Sequence, residues 1–150
     1  MKKIITVLLT FLFLTNCGYT PIYSNKNSNF NIQKIITLKN DQLHYKVQRR
    51  LQRFSNQESQ KIIFLKIDIK KQRNTIAKNS RGNPSRYEML VNIKVEIEYD
   101  ETKIINQSFE EKFNYNISSN KFDLGRYEKE IEELLIDKNI DRIVVYLSTV

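Results

Sequence analysis

Between Ile69 and Tyr87 the chain carries six cations, Lys70, Lys71, Arg73, Lys78, Arg81 and Arg86, and no acid. Guanidinium groups bind phosphate oxygens as a two-pronged fork. The chemistry this stretch offers is therefore anion binding, with Lys78, Arg81 and Arg86 as candidate phosphate ligands. The same run also suits a solvated hairpin tip in a Lys-rich chain. A second basic set, Lys46, Arg49, Arg50 and Arg53, falls at i, i+3, i+4 and i+7, one stripe of a helix. Such a stripe serves nucleic acid, an anionic lipid headgroup, or simply an outer face in water. Catalysis finds less support. The sequence has 1 His, 1 Cys and 3 Gly. A structural zinc site takes about four Cys or His ligands, a disulfide takes two Cys, and any nucleophile–base pair has His44 as its only imidazole. His44 itself suits a solvent-edge or packing role. Acidic pairs such as Glu110-Glu111 and Glu132-Glu133 read as solvated charge. No enzyme, metal or other cofactor is expected.

Length and composition bound the rest. The chain has 150 residues, a formal net charge of +8, 40% hydrophobic and 28% charged residues, which describes one folding domain and not a disordered segment. Ile, Lys and Asn supply 53 of the 150 residues, and the single Ala is Ala77. All three have A/T-rich codons, so part of the basic excess is compositional, and the placement of cations weighs more than their number.

The N-terminus reads as an address. Met1-Lys2-Lys3 is a short positive region, and residues 4–14 (IITVLLTFLFL) are uncharged and mostly apolar. A membrane-spanning helix needs roughly 20 such residues, so this stretch fits the core of a secretory signal instead. The only Cys follows it at once, in Leu14-Thr15-Asn16-Cys17. This resembles a bacterial lipobox, in which the Cys is acylated and becomes the first residue of the exported chain; Asn16 stands where Gly, Ala or Ser is usual. Residues 1–16 are expected to be the signal, 17–31 a lipidated N-terminus and polar tether, and 32–150 a single domain. Gly18, in place of the Asp that retains enterobacterial lipoproteins in the inner membrane, is compatible with export to the outer membrane.

The elements that must position these groups follow from periodicity. Phe30, Ile32, Ile35 and Ile36 suggest a first strand. Asn40-Asp41 offers a helix cap, and Leu43, Val47, Leu51 and Phe54 form one apolar stripe behind it. Ile63, Leu65, Ile67 and Ile69 alternate with Phe64, Lys66, Asp68 and Lys70, the period of a half-buried strand. Tyr87, Met89, Val91, Ile93, Val95, Ile97 and Tyr99 do the same. The basic stretch between these two strands reads as a long loop, and loops beyond about 12 residues are more often functional than idle. Asp100-Glu101-Thr102 is a turn, and Ile105, Phe109, Phe113, Tyr115 and Ile117 a last strand. Residues 123–148 read as a long helix with a phase slip near Asp137-Asn139, its first half rich in acids that suit the helix dipole. The expected fold is α+β: a two-layer sandwich, with a four-stranded mixed sheet, two helices on one face, and the order β-α-β-β-β-α.

The segment Cys17-Gly18-Tyr19-Thr20-Pro21-Ile22-Tyr23 resembles the opening of the LptE family of lipopolysaccharide-assembly lipoproteins in its alphaproteobacterial form. The basic stretch feeding Arg86-Tyr87-Glu88-Met89-Leu90-Val91, and Tyr115-Asn116 followed by a loop and a C-terminal helix, are similar to the same family. The resemblance implies a non-enzymatic protein anchored in the outer membrane through lipid on Cys17. Such a protein plugs the LptD β-barrel, assists its assembly and binds lipopolysaccharide. No nucleic acid partner is then expected. Two other readings stand beside it: a basic α/β nucleic-acid-binding module using the Lys46–Arg53 stripe, and a periplasmic lipoprotein that scaffolds another envelope complex.

Overall fold

The computed structural model describes residues 28–99 and 103–150. The signal, Cys17, most of the tether, and the turn at Asp100-Glu101-Thr102 lie outside the described residues. The strands are β1 (Asn31–Thr37), β2 (Ile62–Lys78), β3 (Pro84–Tyr99) and β4 (Lys103–Asn116), and the helices are α1 (Gln42–Gln52) and α2 (Lys121–Thr149). They lie in one sheet of order β1-β2-β3-β4. β1 runs parallel to β2 because α1 carries the chain back between them, and the remaining pairs are antiparallel. Both helices cover the same face. The α+β architecture and element order are those the periodicity predicts.

The core is the sum of the apolar faces. Ile63, Leu65, Ile67 and Ile69 of β2 and Met89 through Ile97 at alternate positions of β3 meet Val47 and Leu51 of α1 and Ile131, Leu135, Ile143 and Leu147 of α2, all buried. Asp41 caps α1, its Oδ1 accepting the His44 N–H at 2.9 Å. Asn120 caps α2, accepting from the backbone of Phe122 and Asp123.

Two expectations are corrected. The stretch from Lys70 to Arg86 is not a long loop: β2 and β3 pair from Ile63↔Tyr99 to Lys78↔Pro84, with the register shifting only around Ala77, leaving residues 79–83 as a turn. Alternation fails there because Lys71 and Arg73 occupy the inward positions opposite Val91 and Met89. Their stems run along the helix-covered face while their charges meet acids on α2. The second correction concerns α2, which is continuous, with no slip. Asn139 is fully buried, its amide donating to Val91 O at 3.1 Å and to Leu135 O at 3.0 Å. The apolar stripe continues around it through Ile136 and Ile140, while Leu134 is exposed.

His44 belongs to the core. It is 1% exposed, and its Nε2 accepts the Ile69 N–H at 3.1 Å while its Nδ1 lies 2.8 Å from Asp41 Oδ1. Since Nε2 accepts, the ring is neutral with its proton on Nδ1, donated to Asp41. The need is topological: β1 ends at Thr37, so the edge of β2 has lost its strand partner at Ile69, and the imidazole takes that place.

Candidate anion-binding site

The candidate phosphate ligands Lys78, Arg81 and Arg86 gather at the far end of the β2–β3 hairpin. Lys78 is the last residue of β2, Arg81 sits in the turn, and Arg86 is the third residue of β3. All three are exposed. The turn is built by Asn79, whose Oδ1 accepts the backbone N–H of Arg81 and of Asn83, both at 3.0 Å. Its own N–H donates to Asn83 O at 2.8 Å. Gly82 has φ of 80°, a left-handed conformation that glycine adopts without the Cβ clash. Arg86 lies between Ala77 of β2 and Asn116 of β4 in the sheet register. Its Nε donates to Asn116 Oδ1 at 3.2 Å, which steadies the guanidinium while leaving its terminal nitrogens available. Among the described residues no acid is within ion-pair distance of Lys78, Arg81 or Arg86.

The other cations of the stretch are differently placed. Arg73 donates to Glu128 Oε1 at 3.2 Å and lies 4.7 Å over the Tyr87 ring, and Lys71 pairs with Glu132. Tyr115 also donates to Glu128, at 2.6 Å, so one carboxylate ties α2 to both β2 and β4. Burial, with the Glu128 hydrogen bond second, pushes the Tyr115 hydroxyl far above its ordinary value.

The basic stripe of α1 is divided by the same acids. Lys46 reaches Glu132 at 3.0 Å and Glu133 at 2.6 Å, and Arg50 pairs with Glu133 and Asp137. Burial works against these charges, but the hydrogen bonds prevail: Lys46 is held above its ordinary value, Glu132 and Glu133 below theirs. Of the four cations, only Arg49 and Arg53 lie outside this interhelical network. Arg49 stacks 5.8 Å from the Tyr45 ring, and Arg53 lines a small cleft beside Asp137 and Asp141. Glu132 and Glu133, expected as solvated charge, are instead partners in this network. A signal was present: Glu133 and Asp137 are spaced i, i+4, as are Lys46 and Arg50.

The arrangement separates two kinds of cation. Lys46, Arg50, Lys71 and Arg73 lock α2 to the rest of the fold, whereas Lys78, Arg81 and Arg86 at the hairpin tip, like Arg49, Arg53 and Lys70 elsewhere, have no acid within ion-pair distance among the described residues. β1 enters beside the start of β2, Asn31 pairing with Ile62, so the tip lies at the opposite end of a 17-residue strand, about 55 Å away at ~3.3 Å per residue. Among the described residues there is no group of three or more His, Cys, Asp and Glu placed to hold a metal ion, and no helix long and apolar enough to cross a membrane.

No protein-family model and no curated protein sequence matches this chain. Solved structures do. The rare lipoprotein B of Shewanella oneidensis superposes with a TM-score of 0.58 at 16% identity, covering 79% of this chain and 95% of that one. An uncharacterized lipoprotein B of Nitrosomonas europaea gives 0.60 at 9% identity, over 81% and 86%. A minor lipoprotein of Acinetobacter baumannii gives 0.56 at 12% identity, over 79% and 90%. At these identities the likeness is one of fold: the chain has the architecture of these bacterial lipoproteins.

Proposed function

We propose that the chain is a non-enzymatic outer-membrane lipoprotein of LptE type. Acylated at Cys17, it assists assembly of the LptD β-barrel, sits in it as a plug, and contacts lipopolysaccharide through Lys78, Arg81 and Arg86. The observation that carries the reading is the hairpin tip, three cations free of acidic partners, held at the end of the sheet remote from the tether. Phosphate groups of lipid A are the matching chemistry, since guanidinium forks bind phosphate with charge-assisted hydrogen bonds. The lipobox-like segment, the Cys17–Tyr23 motif and a fold shared with bacterial lipoproteins support the same conclusion. The nucleic-acid reading is disfavoured because Lys46 and Arg50, half of the stripe it would use, are committed to α2.

The test pairs two double variants of equal charge change. Arg81→Ala with Arg86→Ala should weaken lipopolysaccharide binding about tenfold or more, equivalent to roughly 1.4 kcal/mol. The remaining binding should fall further with added salt. Arg49→Ala with Arg53→Ala should change it little. Equal losses would reduce the effect to net charge, and no loss in either would leave a structural plug without a lipid site at the tip.

A further inference from the structure

Side chains guard the edges of the sheet. Along β1, Ser55 Oγ accepts the Ile32 N–H at 2.8 Å, while Gln52 and Gln48 donate to Ile32 O and Ile35 O at 3.0 and 3.2 Å. On β4 the Arg142 guanidinium crosses the edge to Glu110 O at 3.0 Å. Just past the end of β1, Leu38 N–H reaches Ile67 O at 3.1 Å, and His44 takes the Ile69 N–H. Backbone groups facing one edge of a strand recur at every second residue. The next on this edge of β2 therefore belong to Lys71, Arg73 and Thr75, since Lys70, Gln72 and Asn74 turn theirs toward Asn92, Leu90 and Glu88 of β3. None of these outward N–H and C=O groups meets a partner among the described residues.

The bare stretch has defined ends. His44 closes it on one side, and on the other the register slips between Thr75 and Ala77, a bulge of the kind that ends pairing. Lys70 to Thr75 between them spans about 20 Å at ~3.3 Å per residue. Two apolar side chains flank it in the open, Leu38 at 56% and Ile76 at 43% exposed. The stretch is also cationic. Lys71 and Arg73 have their acids on α2, but Lys70 is exposed with no acid within ion-pair distance among the described residues. Cations on an edge deter a second copy of the same strand. They favour an acidic one by charge complementarity.

We propose that the edge of β2 from Lys70 to Thr75 takes an extended acidic segment of another polypeptide as an added strand, in line with β1. Its backbone pairs with the N–H and C=O groups of Lys71, Arg73 and Thr75, and a carboxylate lies beside Lys70. A polypeptide strand is the matching chemistry because the edge offers donors and acceptors in alternation, whereas a phosphate can only accept. The site uses neither Arg81 nor Arg86 and does not depend on the lipid reading of the hairpin tip.

The test uses the full chain in detergent micelles and probe peptides about eight residues long. In them Val alternates with Glu, with Thr or with Lys. A further Glu–Val peptide is N-methylated at every amide, which keeps its charge and removes its pairing groups. At saturating Glu–Val peptide, amide exchange at Lys71, Arg73 and Thr75, followed by NMR, should slow roughly tenfold. The Thr–Val peptide should slow it less, and the Lys–Val and N-methylated peptides not at all. Exchange at Asn106 on the β4 edge should stay as it is. Thr75→Pro removes one outward N–H and spares the ladder to β3, so Glu–Val binding should weaken about tenfold or more at unchanged melting temperature. Equal slowing by the N-methylated peptide, or undiminished binding to Thr75→Pro, would reduce the effect to charge and overturn the proposal. So would the absence of slowing with every peptide, which would leave the cations as guards of a bare edge. The last contrary result is protection present before any peptide is added. If it grows with protein concentration the edge belongs to a second copy, and if it does not the edge belongs to this chain's own N-terminus.

Discussion

Lys46 of α1 and Glu132 of α2 meet at 3.0 Å across 86 residues of sequence, and Glu132 holds Lys71 of β2 with its other oxygen. One carboxylate thus joins two cations from two elements. Glu132 is 15% exposed, so its loss leaves Lys46 and Lys71 facing each other at a partly buried junction. Glu132→Ala should cost about 1–3 kcal/mol in urea unfolding, against within about 0.5 kcal/mol for Lys94→Ala on the open sheet face. Equal effects would mean the junction is solvated and idle.

The same pairs set a response to acid. Glu132 and Glu133 are held below the ordinary carboxylate value of 4.5 in the folded chain, by lysine and arginine partners that outweigh burial. A carboxylate with a depressed folded value stabilises the fold above its unfolded value and loses that contribution as pH falls through the folded one. The urea midpoint should therefore fall below about pH 4.5. The Glu132→Gln with Glu133→Gln variant, less stable at neutral pH, should lose less on acidification. Parallel curves for the two proteins would refute the assignment.

His44 offers a sharper test of packing. Its ring is the acceptor for Ile69 N–H at 3.1 Å, a buried donor on the unpaired edge of β2. His44→Ala removes that acceptor and empties buried volume, and should cost about 2–4 kcal/mol by chemical denaturation. Amide exchange at Ile69 should accelerate with it. Unchanged exchange would show that another group satisfies the amide.

Ile93 is fully buried in the middle of β3. Ile93→Ala should cost about 2–5 kcal/mol. A cost within the range of Lys94→Ala would mean the two faces of the strand are reversed.

The fold was legible where burial imposes a period. The alternation of β2 and β3 and the stripe of α1 point the same way as the packing because each has one face in the core. The hairpin was illegible beyond Ile69 because Lys71 and Arg73 occupy inward positions, and a cation there looks like a loop residue until its acidic partner is known. Asn139 misled for a related reason, and His44, open between the solvent edge and packing, could not be placed further: both satisfy backbone groups of the sheet, Val91 O and Ile69 N–H, which no side-chain pattern announces. The candidate tip cations were nameable from sequence. Which cations stand free of acids was not, since that depends on where α2 lies.

The proposed anchor rests on one atom. Cys17 is the only thiol, so Cys17→Ser should abolish incorporation of labelled palmitate and release the protein from membranes. Unchanged labelling would contradict lipidation at this position.

The central claim is the barrel partnership, and the direct measurement is isolation of the exported protein from cross-linked envelopes, with its covalent partner identified by mass. The account predicts a one-to-one adduct with the LptD β-barrel of the same cell, with cross-links on the chain, and retained when Arg81→Ala and Arg86→Ala remove the tip cations. Recovery of the chain alone, or joined to a different envelope protein in its place, would contradict it.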